Sequence, residues 1–254
     1  MEASVSPHVS HAMLNDGIVE ARAYQLEAVD EALSSSMLLV MPTAAGKTAV
    51  IWMMISEKLS RGGRVMMIAP TVGLVEQHIR SLREVLKLKD GIVQITGQLP
   101  PAKRVEKWDG ARLVVATPKV VVNDVSNGVV DLSDFSVLVV DEAHHCTGDH
   151  AMALVCDNYI SKNVRPHILG VTASPGHRPE AVREICKRTG AVRIHIRNSA
   201  EEMLSGYLSE LEVREITVSV PDEIVRLSEP FKIWQKGIVD RERRLGRYVM
   251  PGMI

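Results

Sequence analysis

Seven short apolar runs recur along the chain, with stretches of helical periodicity between them. The runs are Met37–Met41, Val65–Ala69, Ile92–Thr96, Leu113–Ala116, Val137–Val140, Ile168–Val171 and Val192–Ile196. Each is rich in Val, Ile, Leu or Met, and a nearly continuous apolar run of this length has both faces of a strand to bury. That pattern predicts parallel strands covered by helices on either side. Lys47–Arg61 places Val50, Ile51, Met54, Ile55 and Leu59 on one side of a helix, and Leu74–Leu86 does the same with Leu74, Val75, Ile79, Leu82 and Leu86. Pro179–Thr189 opens with a proline suited to a first helical turn and has Gly190 just past its end. Strand and helix in alternation predict an α/β fold: a three-layer, doubly wound, mainly parallel sheet of about seven strands, with ligands at the strand C-termini.

With 254 residues, 46% of them hydrophobic, the chain can build one large domain and part of a second without a disulfide or metal staple. The pattern changes near residue 200, so residues 1–200 are expected to form the main domain. Residues 201–254 are expected to form a connecting strand and the start of a helical segment that is cut short. In that tail Val213, Ile216, Val218 and Val220 alternate in part before Pro221, and Asp222–Arg247 is charged and helix-like. Its cluster Arg241, Arg243, Arg244 and Arg247 reads as a solvated helix face.

Cys146, Cys156 and Cys186 are odd in number and have no C-x-x-C spacing, which argues against a disulfide framework or zinc site and for buried small apolar side chains. No apolar run reaches membrane-spanning length, and Met1–Gly17 lacks the layout of a secretory signal. Together these point to a soluble, cytoplasmic protein without a membrane partner. The net charge of −1 is neutral on nucleic acid, so any such binding has to come from local geometry.

The strongest chemical signal follows the first run. Pro42-Thr43-Ala44-Ala45-Gly46-Lys47-Thr48 lies between a strand and a helix. Backbone N–H groups of such a loop wrap nucleotide phosphates, and the helix N-terminus adds the positive end of its dipole. Lys47 is expected to reach the β- and γ-phosphates, and Thr48 to place its hydroxyl on Mg²⁺. Two positions depart from the common pattern: Met41 stands where many loops begin with Gly, and Ala44 stands where Gly is also frequent. A positive φ at Ala44 would be strained. Downstream, Val137–Val140 runs into Asp141-Glu142-Ala143-His144. ATP hydrolysis needs a carboxylate for the Mg²⁺ shell and a group to orient the attacking water; Asp141 suits the first role and Glu142 the second. His144 and His145 are not read as metal ligands, because neighbouring histidines are expected to point in different directions and no third ligand has suitable spacing. His144 suits a relay of the nucleotide state.

Five further elements stand in a fixed order around these two: Arg22-Ala23-Tyr24-Gln25, Ala69–His78, Thr96-Gly97, Ala116-Thr117-Pro118 and Thr172-Ala173-Ser174-Pro175-Gly176. From about Arg22 to Gly176 the chain resembles the first RecA-like lobe of superfamily 2 helicases of the DEAD/DEAH-box kind. Within that group it is most similar to the archaeal Hef and Fanconi-anaemia-type DNA translocases, with RIG-I-like RNA sensors more distant. The resemblance implies an ATP-dependent helicase or translocase using ATP and Mg²⁺. Arg22, Tyr24 and Gln25 would serve the adenine, with the Gln amide pairing N6 and N7, and Thr43, Ala44, Ala45, Gly46, Lys47 and Thr48 the phosphates. Pro70, Thr71, Thr96, Gly97, Thr117 and Pro118 would meet the nucleic-acid backbone, although Thr117 with Pro118 also fits a purely structural helix cap. Thr172 and Ser174 would couple hydrolysis to movement by bonding the Asp-Glu-Ala-His segment.

The resemblance also implies a second RecA-like lobe carrying arginine fingers. None is present in this sequence, so a fragment of a larger motor, weakly active or inactive alone, is expected. Phosphate-binding motifs do not tell DNA from RNA; the Hef-like character favours branched DNA. An ATP-gated sensor or clamp that does not unwind is the alternative, and a metabolic ATPase unrelated to nucleic acid is disfavoured by the ordered motifs.

Overall fold

A computed structural model of the chain describes residues 8–42, 45–88, 90–176, 178–197 and 222–244. The chain divides into two units, Met1–Ser209 and Glu210–Ile254.

In the first unit the seven apolar runs are seven strands: β1 (Met37–Val40), β2 (Val65–Ile68), β3 (Ile92–Ile95), β4 (Leu113–Ala116), β5 (Val137–Asp141), β6 (Ile168–Thr172) and β7 (Arg193–Ile196). They form one sheet in the order β3-β4-β2-β5-β6-β1-β7, and every pairing is parallel. The helices are α1 (Ala23–Ser34), α2 (Lys47–Ser60), α3 (Val72–Val85), α4 (Pro101–Asp109), α5 (Pro118–Ser126), α6 (Ala151–Lys162) and α7 (Pro179–Thr189).

Period-two side-chain alternation divides the core into two layers. Met37, Leu39, Val65, Met67, Leu113, Val115, Val137 and Val139 pack with α1, α2 and α3. Leu38, Met66, Ile68, Val114, Leu138 and Val140 pack with α4, α5, α6 and α7. The result is the three-layer RecA-like architecture that continuous apolar strands require.

One strand departs from expectation. The run at Val192–Ile196 forms the sheet edge, with Val192 74%, Ile194 44% and Ile196 58% exposed, so it is not covered on both faces. Cys146 and Cys156 are fully buried, and Cys186 is half-buried.

The register brings the strand ends level. Val40 pairs with Thr172 and Ile196, Ile68 with Val140 and Ala116, and Ile95 with Ala116. All the motif residues that follow these strands therefore emerge at one edge of the sheet.

In the second unit a single helix, α8 (Asp222–Arg244), is described, with Pro230 inside it. Arg241 and Arg244 are exposed on it. The alternating run Val213–Val220 and Arg247 lie outside the described residues. Among the described residues no helix is long and apolar enough to cross a membrane.

Candidate nucleotide site and nucleic-acid face

The loop after β1 closes onto α2 at Gly46, whose φ of 81° is the left-handed conformation that suits glycine. A Cβ there would stand 2.0 Å from Gln25 Nε2. Glycine is thus required by its backbone angle, and a Cβ would in addition displace the Gln25 amide that lies against the loop. Gln25 is 2% exposed, and its amide nitrogen donates to the carbonyls of Ala45 (3.2 Å) and Gly46 (3.4 Å). The Tyr24 hydroxyl also donates to Ala45 O, at 3.0 Å. These two neighbours hold the loop from behind. The amide nitrogen expected to donate to adenine N7 is thereby engaged with the loop itself. Thr43 and Ala44 lie outside the described residues.

Lys47 opens α2, and its ammonium donates to Met41 O at 2.9 Å and Pro42 O at 3.0 Å. Burial lowers its pKa, and the carboxylates of Glu142 and Asp141 oppose that shift. A cation held against two loop carbonyls beside two acids is a pre-placed counter-charge for phosphate.

β5 ends at Asp141, and Glu142 follows with φ 53°, the one positive-φ residue other than glycine among those described. Such a conformation costs about 1–3 kcal/mol and collects at functional sites. It turns the chain from the strand into a single 3-10 turn, Ala143–His145. Gly46, Lys47, Thr48, Asp141, Glu142, Gln77, His78 and Ala173 share the walls of one cavity of about 300 Å³. Its hard oxygen donors, the Thr48 hydroxyl and two carboxylates, suit Mg²⁺ held jointly with phosphate oxygens and water. No group of three or more His, Cys, Asp or Glu that could cage a metal occurs among the described residues. A second cavity of about 280 Å³ shares Gly46 and Thr48 with the first and is also lined by Ile18, Glu20, Arg22, Gln25 and Trp52. Arg22 is fixed there by Glu20 at 2.7 Å and by the Tyr24 hydroxyl at 3.3 Å.

His78 is a member of this site that the sequence reading did not single out. It lies on the buried face of α3 with Val75, Ile79 and Leu82, and its Nε2 is 2.7 Å from Asp141 Oδ2. The carboxylate can only accept, so Nε2 carries the proton and donates. A histidine interrupting an otherwise apolar helix face was the available signal.

His144 Nδ1 is 3.1 Å from Thr172 Oγ1 and 3.2 Å from Glu142 Oε2, so Thr172 does reach the acidic segment. Ser174 makes a different bond: its backbone N–H donates to Thr172 Oγ1 at 3.2 Å. The two neighbouring histidines do not diverge as expected. The His144 and His145 rings are 4.2 Å apart, and His145 stacks on His150 at 5.1 Å. Burial lowers the His145 pKa, helped by its two histidine neighbours.

The strand ends of β2 and β4 carry a groove of about 520 Å³ lined by Pro70, Thr117, Pro118, Lys119, Asn123 and His150. Thr117 precedes α5, but its side chain makes no capping bond, so the purely structural cap is not formed. Thr71 does cap α3, accepting from Leu74 N. Thr96 is buried and lines a separate cavity with Arg83, Gln94 and Lys107, while Gly97 is exposed at the end of the edge strand β3. Pro70 and Thr117 thus share one groove, and the third predicted element stands beside it.

The DEAD/DEAH box helicase family profile matches residues 22–183, more than half of the chain. The chain belongs to the DEAD/DEAH box helicase family. A Methanocaldococcus jannaschii protein named as an ATP-dependent RNA helicase is 36% identical over 220 residues, covering 86% of this chain and 28% of that protein. The ATP-dependent DNA helicase MPH1 of Pyricularia oryzae is 31% identical over 215 residues, 83% of this chain and 19% of the relative. Among solved structures, the Pyrococcus furiosus Hef helicase domain superposes with a TM-score of 0.75 at 29% identity, over 92% of this chain and 50% of that one. The DEAD/DEAH-box chain is therefore Hef-like, as its motifs imply, and it spans less than a third of the curated relatives it matches and half of the Hef domain.

Proposed function

We propose that residues 1–200 are the ATP-binding lobe of a nucleic-acid helicase or translocase. The observation that carries this reading is the single cavity shared by Lys47, Thr48, Asp141 and Glu142. Loop N–H groups, Lys47 and the start of α2 bind and orient the ATP phosphates. The nucleobase takes the cavity beside Arg22 and Gln25. Thr48 and Asp141 would hold Mg²⁺, which supplies charge neutralisation on the β- and γ-phosphates when bound. Glu142 accepts a proton from the attacking water and orients it. His144, held between Glu142 and Thr172, passes the state of the phosphate site to the strand end that leads to Ser174.

Nucleic acid runs across the ends of β2, β4 and β3, where Pro70, Thr71, Thr96, Gly97, Thr117 and Pro118 meet its backbone. Such binding reads phosphates, so it is largely independent of sequence. A second RecA-like lobe closes the nucleotide crevice and brings an arginine finger, worth about 10³–10⁵ in rate, so this lobe alone turns over ATP weakly. DNA is favoured because the MPH1 relative is named a DNA helicase, and the Hef-like motifs extend that reading to branched DNA. The test is ATP turnover and strand displacement by the two-lobed protein, with and without forked DNA or RNA. Turnover stimulated by nucleic acid together with displacement supports the motor. Stimulation without displacement makes it an ATP-gated clamp, and turnover indifferent to nucleic acid contradicts both.

A further inference from the structure

α3 connects the two halves of this lobe. It begins at Thr71, beside the Pro70–Thr117 groove, and two turns later carries His78 against Asp141. At a rise of roughly 1.5 Å per residue, a little over 10 Å of rigid helix separates the nucleic-acid face from the acidic cluster. The contact at its far end is sheltered: the His78 side chain is 8% exposed and that of Asp141 13%. Among the described residues, His78 is the one side chain hydrogen-bonded to Asp141.

That bond has a defined consequence for the carboxylate. Oδ2 accepts the imidazole N–H, which restrains rotation of the group and leaves Oδ1 without a hydrogen-bond partner among the described residues. Asp141 otherwise sits at the end of a strand, where the following Glu142 turns away through a left-handed conformation and offers it no support.

We propose that His78 is a positioning residue: it fixes the Asp141 carboxylate in the orientation that receives the metal–nucleotide, and it ties that orientation to α3, the helix whose N-terminus faces nucleic acid. This inference rests on the nucleotide-site reading above. Backbone phosphate bound at the start of α3 steadies the helix, the helix steadies His78, and His78 sets Asp141. The proposal needs no change in the protonation of His78, only its N–H and its place on the helix.

The test is a Mg²⁺ titration of this chain with a fluorescent ATP analogue, using wild type, His78→Ala and His78→Gln. Glutamine can return an N–H to nearly the same point. Partners behind a metal ligand typically carry about 10–100-fold in metal affinity, so His78→Ala should need at least about tenfold more Mg²⁺ for half-maximal binding, while His78→Gln stays within about threefold of wild type. Binding of the analogue without metal should be equal in all three, which separates lost positioning from a damaged loop. A single-stranded oligonucleotide should lower the Mg²⁺ requirement in wild type and His78→Gln but not in His78→Ala. The inference is overturned if His78→Ala takes up Mg²⁺ and analogue at wild-type concentrations, if folded His78→Gln fails as badly as alanine, or if the oligonucleotide effect survives in His78→Ala. A wild-type chain that binds no analogue overturns the nucleotide-site reading instead, and this inference with it.

Discussion

At the scale of single residues, Gly46 is the position with least freedom. Its φ of 81° disfavours any side chain, and the first carbon of one would lie 2.0 Å from Gln25 Nε2. Gly46→Ala should therefore displace the Gln25 amide from the loop, cost about 1–3 kcal/mol in urea unfolding, and abolish binding of an ATP analogue. Wild-type binding by that variant would mean that the loop tolerates a different path. His167 is a second constrained residue. Its Nε2 donates to Ala32 O at 2.6 Å, and its Nδ1 accepts from Lys58 Nζ at 3.0 Å, so the fold requires a neutral ring. Burial is the main cause holding its pKa down, and Lys58 adds to it. Because the folded pKa lies below the unfolded one, the unfolded chain takes up the proton first as pH falls. This stabilisation is complete above about pH 6.5 and declines below it, toward the folded pKa. Wild type should lose more urea stability than His167→Gln between about pH 7.5 and 5.5. Equal losses would remove His167 from the account.

At the scale of elements, α4 and α5 are joined by a buried charge. Asp124 accepts from Arg104 Nε at 2.8 Å, Arg104 Nη2 at 2.7 Å and Trp108 Nε1 at 2.9 Å, with Asp124 2% exposed. Asp124→Ala leaves the guanidinium buried without its partner and should cost about 3–5 kcal/mol, read from the urea midpoint. A change below about 1 kcal/mol would show that Arg104 escapes to water. This pair also explains what the sequence concealed. α4 buries Arg104 and Trp108, and α1 buries Gln25 with alanines, so neither shows the apolar stripe that marks a helix. α7 was legible from end to end because Pro179 opens it and Gly190 closes it at φ 61°. The strands were legible because a run buried on both faces needs no partner to be recognised. β7 was misjudged for the same reason, since its apolar residues look alike whether a helix covers them or not. The phosphate loop and the acidic pair could be read because their chemistry depends on neighbours in sequence. His78 and the loop-facing role of Gln25 could not, because each depends on a contact made across the fold.

At the scale of the molecule, parallel strands put every motif at one edge, with the nucleotide residues after β1 and β5 and the groove after β2 and β4. If the groove holds a nucleic-acid backbone, binding should weaken with salt, at a log–log slope of about −0.7 for each phosphate contact to a single strand. Thr117→Ala removes an uncapped hydroxyl from that groove and should lower affinity for a single-stranded oligonucleotide without changing the melting temperature. Unchanged affinity would mean that Thr117 faces no phosphate. The central claim, however, is that the cavity between Lys47 and the Asp141-Glu142 pair holds ATP. Titration of the chain with a fluorescent ATP analogue in Mg²⁺, beside Lys47→Ala, tests it most directly. Saturable binding by wild type that is lost in Lys47→Ala is the predicted result. Equal binding by both, or none by wild type, would contradict it.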